Sequence, residues 1–477
     1  MKRFILKAVG FFIITISFIA CDKLLDEKIY SELGSENYLS TQDGINTVLS
    51  GSYEFINPGA QSYCYKFFYS HISAGIGWGM GGVFEQTTAV PLHEFTWNST
   101  QEHLVHWWDV YFKGIRNANI VLGHINNSYF PEKFIIEKTA ESKALRAYFY
   151  NELYKMFGTV PIFTESNPAD LKRARATEEE MKDRIESDLI EAIEGLLPDP
   201  DYGRVSKGGA LGLLCKFYLN TKQWDKCVNI AREIINMNSY QLLEDYSQIY
   251  NIENKGHKEI LWVVPQLTSP NSESSDIIAL LAPPDYPVPS NQTVFAARNY
   301  IYDWFIDSFD EKDKRKDLLE LEYKNNQGIL IAGYGNDKSL YFKYPIDPNA
   351  SGSSNGTDFI PIRYADILLS IAEALNEING PNQESVNYVN QIRARAGVDN
   401  LTLSDFSNKE SLRSHILNER LWEFYIEGME REDLIRHEVF ISKARERGIN
   451  AKEHHVVFPI PQRELDSNPM MKQNSGY

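Results

Sequence analysis

The sequence predicts a mainly α-helical protein with a loop-rich region that contains a few short strands. Three observations lead there. Apolar residues return at helical spacing in long segments, as in Ile115, Ala118, Val121 and Ile125. Several of those segments open on Ser or Thr, or close on Gly, residues that satisfy the free backbone groups of helix ends. Between them, residues 57–100 and 239–361 lose the period and are rich in turn-forming residues. Composition narrows the class. Only four of 477 residues are Cys, which excludes a disulfide-knit miniprotein. A net charge of −17 argues against a nucleic-acid partner. Aromatic residues at 13% supply a large core rather than disorder. A many-span membrane protein needs repeated apolar runs of about 20 residues, and the sequence has none.

The first element is an address. Lys2, Arg3 and Lys7 precede a mostly apolar stretch from Ala8 to Ala20, and Cys21 follows. This is the plan of a secretory signal, too short to span a bilayer comfortably. Phe18-Ile19-Ala20-Cys21 resembles a bacterial lipobox, cleaved before a cysteine that is then acylated, as with palmitate; Phe18 stands where Leu is usual. An ordinary signal with a chance cysteine is the alternative. On the lipobox reading, residues 1–20 are a lipoprotein signal peptide, Cys21 is the lipid anchor and 21–33 is a charged tether. Such a chain is held to a membrane by lipid rather than by spanning it.

The helices follow in order. Ser40 or Thr41 caps a segment carrying Ile45, Val48, Leu49 and Tyr53. Periodicity resumes at Glu102 and runs to Ile125. A second long helix, Glu137 to Phe157, stops at Gly158 with Pro161 beyond. Further helices fit Thr177 to Leu196, Ser206 to Asn220 and Trp224 to Met237. In the irregular stretch, Ile260 to Val264 reads as a strand and Tyr300 to Phe309 as a helix. Helices return at Arg363 to Ile378, Glu384 to Ala396 and Lys409 to Ile426. Tetratricopeptide units need small residues about 12 positions apart where their two helices cross, and Cys215 and Cys227 fit that spacing. The two are either small buried residues or, in an oxidising compartment, a disulfide that leaves Cys64 outside the pair.

Several stretches spread over the chain carry a resemblance. They are Trp108-x-x-Tyr111-x-x-x-Ile115-x-x-Ala118-Asn119, then Lys143-Ala144-Leu145-Arg146-Ala147 leading to Phe157-Gly158-Thr159-Val160-Pro161. Next come Ile362-Arg363-Tyr364-Ala365-Asp366-Ile367-Leu368-Leu369 and Asn390-Gln391-Ile392-Arg393-Ala394-Arg395-Ala396-Gly397, then Asn418-Glu419-Arg420 and Phe458-Pro459-Ile460-Pro461. In this order they resemble the SusD/RagB family of outer-membrane nutrient-binding lipoproteins. The resemblance implies a right-handed scaffold of four tetratricopeptide-like units within one SusD-like domain, residues 34–477. The scaffold is expected at about 34–56, 101–237 and 362–430, and the ligand-binding part at about 57–100 and 239–361. It further implies a surface protein of the outer membrane, facing the exterior, that binds a glycan and delivers it to a partner SusC-like TonB-dependent transporter. No catalysis and no cofactor are implied. The other reading is a structural or assembly lipoprotein that binds only protein or peptide partners.

Arg363, Asp366, Arg393, Arg395, Glu419, Arg420 and Glu423 lie on helices beside apolar positions, so ion pairs between packed helices are their expected role. Sugar recognition needs flat apolar rings with amides or carboxylates nearby. Among the irregular stretches the candidates are Tyr65, Trp78, Phe84, Trp97, Asn98, Tyr286 and Tyr334, with Tyr300 and Tyr302 behind them. Trp78 sits among Gly75, Gly77, Gly79, Gly81 and Gly82, which either bend the loop so that the ring stands outward or tuck it into the core. Tyr286, among four prolines, is assigned to the surface, and Trp304, beside Phe305 and Phe309, to the core. Trp107, Trp108, Tyr148, Tyr154 and Trp422 are assigned to helix packing. His103, His106, His454 and His455 lack a zinc-site pattern. Asp310-Glu311-x-Asp313 lacks the calcium-loop spacing and reads as a solvated helix end.

Overall fold

The computed structural model describes residues 38–57, 62–126, 129–166, 172–269 and 274–477. The expected signal, Cys21 and tether lie outside them. Helices of seven or more residues are numbered here. α1 (Gln42–Glu54), α2 (Ser62–Ala74) and α3 (Glu102–His124) come first, and α1 packs along α3. α4 (Glu132–Phe157) lies between α3 and α5 (Glu178–Gly195), and α6 (Lys207–Asn220) packs on both α5 and α7 (Trp224–Asn236). After a long excursion the chain returns as α8 (Tyr364–Asn379), packed on α7, on α9 (Gln383–Ala396) and on α10 (Lys409–Phe424). α11 (Glu430–Arg436) and α12 (Phe440–Glu446) follow. The pairs α1/α3, α4/α5, α6/α7 and α8/α9 stack in succession, which is a tetratricopeptide-like scaffold.

Local chemistry sets these boundaries. The Thr41 hydroxyl accepts from the Gly44 amide at 3.1 Å, and Thr177 and Glu180 form a reciprocal capping box. The Ser206 hydroxyl accepts from Gly209 at 2.9 Å. Gly158 and Gly397 end α4 and α9 with positive φ, which costs a glycine little. α7 buries Cys227, Val228, Ala231 and Ile234, one stripe at helical spacing. Cys215 and Cys227 are both buried with their Sγ atoms 3.8 Å apart and unbonded, so they act as the small residues at this helix crossing.

Four expectations need correction. Residues 57–100 are not loop throughout: α2 lies there, followed by an irregular helix from Gly82 to Glu94 with a π-type turn at Glu85–Ala89. α2 is rich in aromatics with few good helix formers, and it is buried on nearly every side, so no period shows. Tyr300 to Phe309 is not one helix. It is a short strand, Arg298–Ile301, followed by a short turn of helix, Asp303–Asp307. α4 begins five residues earlier than the apolar period, with Glu132 at its first turn. Asp313 is no solvated helix end, because its carboxylate is buried against Arg315 at 2.6 Å.

The strands are short and pair in twos, all antiparallel: β1 (Gly77–Met80) with β3 (Arg298–Ile301), and β2 (Ile260–Val264) with β8 (Phe359–Arg363). Between them, β4 (Leu319–Glu320) pairs with β7 (Leu340–Tyr341), and β5 (Glu322–Lys324) with β6 (Leu330–Ala332). Sheets this small have little stability of their own. Buried ion pairs tie them to the helices. Arg363 bonds Glu259, Glu423 and Glu427, and Arg395 bonds Glu259 and Glu423. Arg315 reaches Glu419 at 2.7 Å and Glu423 at 3.3 Å, and Lys343 pairs with Glu427. Arg315 and Lys343 bracket the 319–341 hairpins, so both ends of that segment are pinned to α10 and the turn after it.

Candidate functional site

The excursion 239–361 and the irregular stretch after α2 meet at the β1–β3 pair. Its register sets Trp78 opposite Tyr300 and Met80 opposite Arg298. The two rings lie 5.2 Å apart, tilted by 41°. The glycines around Trp78 serve close packing. A Cβ at Gly77 would meet His71 Nε2 at 2.2 Å and the Tyr300 carbonyl at 2.4 Å. Gly81 has φ +95°, and its Cβ would strike the Ala296 carbonyl at 2.1 Å. With the strand held this close, the Trp78 ring is left half-buried at the edge, neither free in solvent nor tucked into the core. Its Nε1 donates to the Asp337 carbonyl at 2.6 Å.

Asp337 belongs to a turn held by acidic groups. The Asp303 carboxylate accepts from the Gly335 and Asp337 amides at 2.8 and 3.2 Å, while Asp337 accepts from the Asp303 amide at 2.9 Å. Tyr334 in the same turn is 45% exposed and donates to Asp307 at 2.6 Å. Its phenol is held above its ordinary range by that bond and by the Asp307 charge. Trp304, expected in the core, is 49% exposed. Phe305 and Phe309 take the inward face four residues apart, which turns Trp304 about 100° away from it.

A second aromatic group continues the patch. Tyr286 is half-buried, stacked on Phe342 at 4.8 Å and 5.2 Å from Tyr323. The Tyr286 hydroxyl donates to Glu320 at 2.8 Å, and Tyr323 donates to Asp285 at 3.0 Å. Burial raises both phenols, and their carboxylate partners add to the rise, so both stay protonated donors at neutral pH. Burial also raises the Glu320 carboxyl, against the pull of the Tyr286 hydroxyl. Tyr300 and Tyr323 share one cluster with Leu340, flanked by Trp78, Met80, Tyr286 and Ile331. Burial raises the Tyr300 phenol, and the Arg298 guanidinium opposes it. Arg298 Nε has no hydrogen-bond partner among the described residues. The result is an aromatic patch rimmed by carboxylates, a guanidinium and the Asn325 amide, whose Nδ2 lies 3.3 Å from Asp285.

The structure brings Trp78, Tyr286 and Tyr334 to this face and places the other candidates elsewhere. Tyr65 is buried, its ring stacked on His103 with centroids 3.7 Å apart, and burial lowers that imidazole to about 4. Phe84 is buried against Tyr65 and Phe68. Trp97 is buried, and its Nε1 donates to the Tyr477 hydroxyl at 2.7 Å. These three belong to the core, out of a ligand's reach. Asn98 is exposed, but its Oδ1 accepts from the Thr100 amide at 2.9 Å and hydroxyl at 2.7 Å, which shapes the turn into α3. The site residues absent from the first set of candidates are Arg298, Asp285, Glu320, Tyr323 and Asn325, none with a local signal, and Trp304, which the Phe305/Phe309 spacing could have revealed. Among the described residues no helix is long and apolar enough to cross a membrane.

Comparison with known proteins agrees with this architecture. A family model described as "SusD family" matches residues 310–477, and one described as "Starch-binding associating with outer membrane" matches residues 23–219. A SusD-like protein of Formosa agariphila is 24% identical over 96% of this chain and 97% of its own length. The starch-binding protein SusD of Bacteroides thetaiotaomicron is 23% identical over 72% of this chain and 73% of its own. Among solved structures, a laminarin-binding SusD-like protein superposes with a TM-score of 0.78 at 24% identity, covering 92% of this chain and all of that one. Family models matching both parts of the chain and a relative aligned along nearly its whole length converge: the chain belongs to the SusD/RagB family.

Proposed function

We propose that this protein is a lipid-anchored outer-membrane protein that binds an oligo- or polysaccharide at the Trp78 face and delivers it to a partner SusC-like TonB-dependent transporter. The observation that carries the reading is the pair of half-buried rings Trp78 and Tyr286, backed from beneath by the buried Tyr300 and Tyr323 and rimmed by Asp285, Glu320 and Arg298. Half-buried rings offer flat apolar surface to sugar C–H groups at low rotamer cost. The Asp285 and Glu320 carboxylates and the half-buried Arg298 guanidinium offer acceptors and a donor to hydroxyls. Pinning of the 319–341 segment by Arg315 and Lys343 limits the ordering needed on binding. Support from relatives is of the same kind: one neighbour binds laminarin, and a surface glycan-binding protein of Bacteroides thetaiotaomicron was solved with laminarihexaose. Cys21 acylation supplies the attachment, and no catalytic step is assigned to the patch.

The test is calorimetry of the purified protein against a glycan panel that includes laminarihexaose and starch oligosaccharides. Saturable binding lost in Trp78→Ala supports the reading. Failure with every glycan, alongside retained capture of the transporter, overturns it in favour of a purely assembly role.

A further inference from the structure

A cavity of about 730 Å³ opens along α3, between it, the segment after α4 and the C-terminal stretch near Met471. It uses none of the residues of the Trp78 face. Its lining on α3 runs from Trp108 to His124, which at about 1.5 Å per residue is a groove about 24 Å long. Trp108, Phe112 and Phe163 form its apolar floor. Phe112 lies 5.0 Å from Trp108 and 5.8 Å from Phe163, the latter edge to face at 79°. Rings crossed in this way leave a notched surface that suits branched or ring side chains better than the flat face of a sugar.

The charges of this groove run against those of the chain. Its carboxylates are already used: Asp109 and Glu464 pair with Arg463, and Glu165 pairs with Arg146 at 2.6 Å. Its exposed cations are not. Lys113, Arg116 and Lys172 line the cavity, and none has an ion-pair or hydrogen-bond partner among the described residues. On a protein of net charge −17, this is a local positive rim over an apolar floor, and it is complementary to an anionic, apolar-bearing chain. A groove of about 24 Å holds about seven extended residues at roughly 3.3 Å each.

We propose that the α3 groove is a binding site for an acidic peptide segment, extended along the helix with one or two apolar side chains in the Phe112–Phe163 notch. Its carboxylates meet Lys113, Arg116 and Lys172. The test is fluorescence anisotropy of the full chain with a fluorescein-labelled heptapeptide that alternates glutamate with leucine or phenylalanine. Saturable binding is expected, weakening with added salt, and falling about fivefold or more in the double variant Lys113→Glu, Arg116→Glu. Both positions are exposed, so an unchanged melting temperature in that variant separates loss of ligand from loss of fold. A Phe112→Leu variant probes the floor in parallel. Equal binding of the lysine counterpart peptide, unchanged affinity in the double variant, or no saturable binding overturns the proposal. Tighter binding of polygalacturonate, displacing the peptide, also overturns it and makes the groove a site for anionic sugars.

Discussion

Arg363 and Glu423 are both fully buried, and the guanidinium Nη1 stands 2.5 Å from the carboxylate Oε1. Arg363 also bonds Glu259 ahead of β2, and Glu423 also receives Arg315 from the excursion and Arg395 from α9. One contact thus joins scaffold helices to the irregular part that carries the aromatic patch. Removing one member of such a network strands the others without water. Arg363→Met is expected to destabilise the fold by about 3–5 kcal/mol, read as a lowered midpoint in urea unfolding.

The same network sets a pH response. Burial alone would raise the Glu423 carboxyl, but Arg395, Arg363 and Arg315 outweigh it and hold it at about 2. Glu419, held chiefly by Arg315, and Glu432, held by Lys155 and Lys216, also sit at about 2 against the cost of burial. In the unfolded chain these groups titrate near pH 4.3. The folded values are lower, so their contribution is fully present above that pH and is lost as pH falls toward 2. Melting temperature should drop steeply between about pH 5 and pH 2. A profile flat across that window would contradict the assignment.

Two tryptophans separate binding from folding. Trp78→Ala removes a half-buried ring at the edge of the patch, and glycan affinity is expected to fall by about 2 kcal/mol, roughly thirtyfold, with little change in stability. Trp97→Ala empties a fully packed site and unties the Tyr477 hydroxyl. It should cost about 3–5 kcal/mol of folding free energy. Calorimetric titration and thermal melts on the same samples tell the two outcomes apart.

The thiols at the α6–α7 crossing are expected to be shielded rather than bridged. Cys215 and Cys227 should resist alkylation in the native protein and both react in concentrated guanidinium without reductant. An intact mass lower by two hydrogens would instead reveal a disulfide.

The proposed lipid anchor makes membrane attachment depend on Cys21. Replacing it with Ala is expected to move the protein out of the membrane fraction. Retention there, with no acyl label on the unaltered protein, would show that the lipobox reading is wrong.

What the sequence alone determined was the scaffold. Capping residues such as Thr41, Thr177 and Ser206, terminators such as Gly158 and Gly397, and one-faced helices such as α7 are local signals, because each depends on neighbours within a few turns. The basic and acidic residues of the last helices were legible as ion-pair formers for the same reason, since charges beside apolar positions on a packed helix need partners. Helix α2 was not legible, because burial on nearly every side erases the period. Nor was the site. Tyr65, Phe84 and Trp97 have the same composition of surroundings as Trp78, and only contacts with His103, Phe68 and Tyr477 put them inside. Trp78 and Tyr300 are more than two hundred residues apart and become neighbours through the β1–β3 register, a long-range pairing that no local pattern encodes. Residue type restricted which side chains could serve a ligand; the tertiary structure decided which of them remain at the surface together.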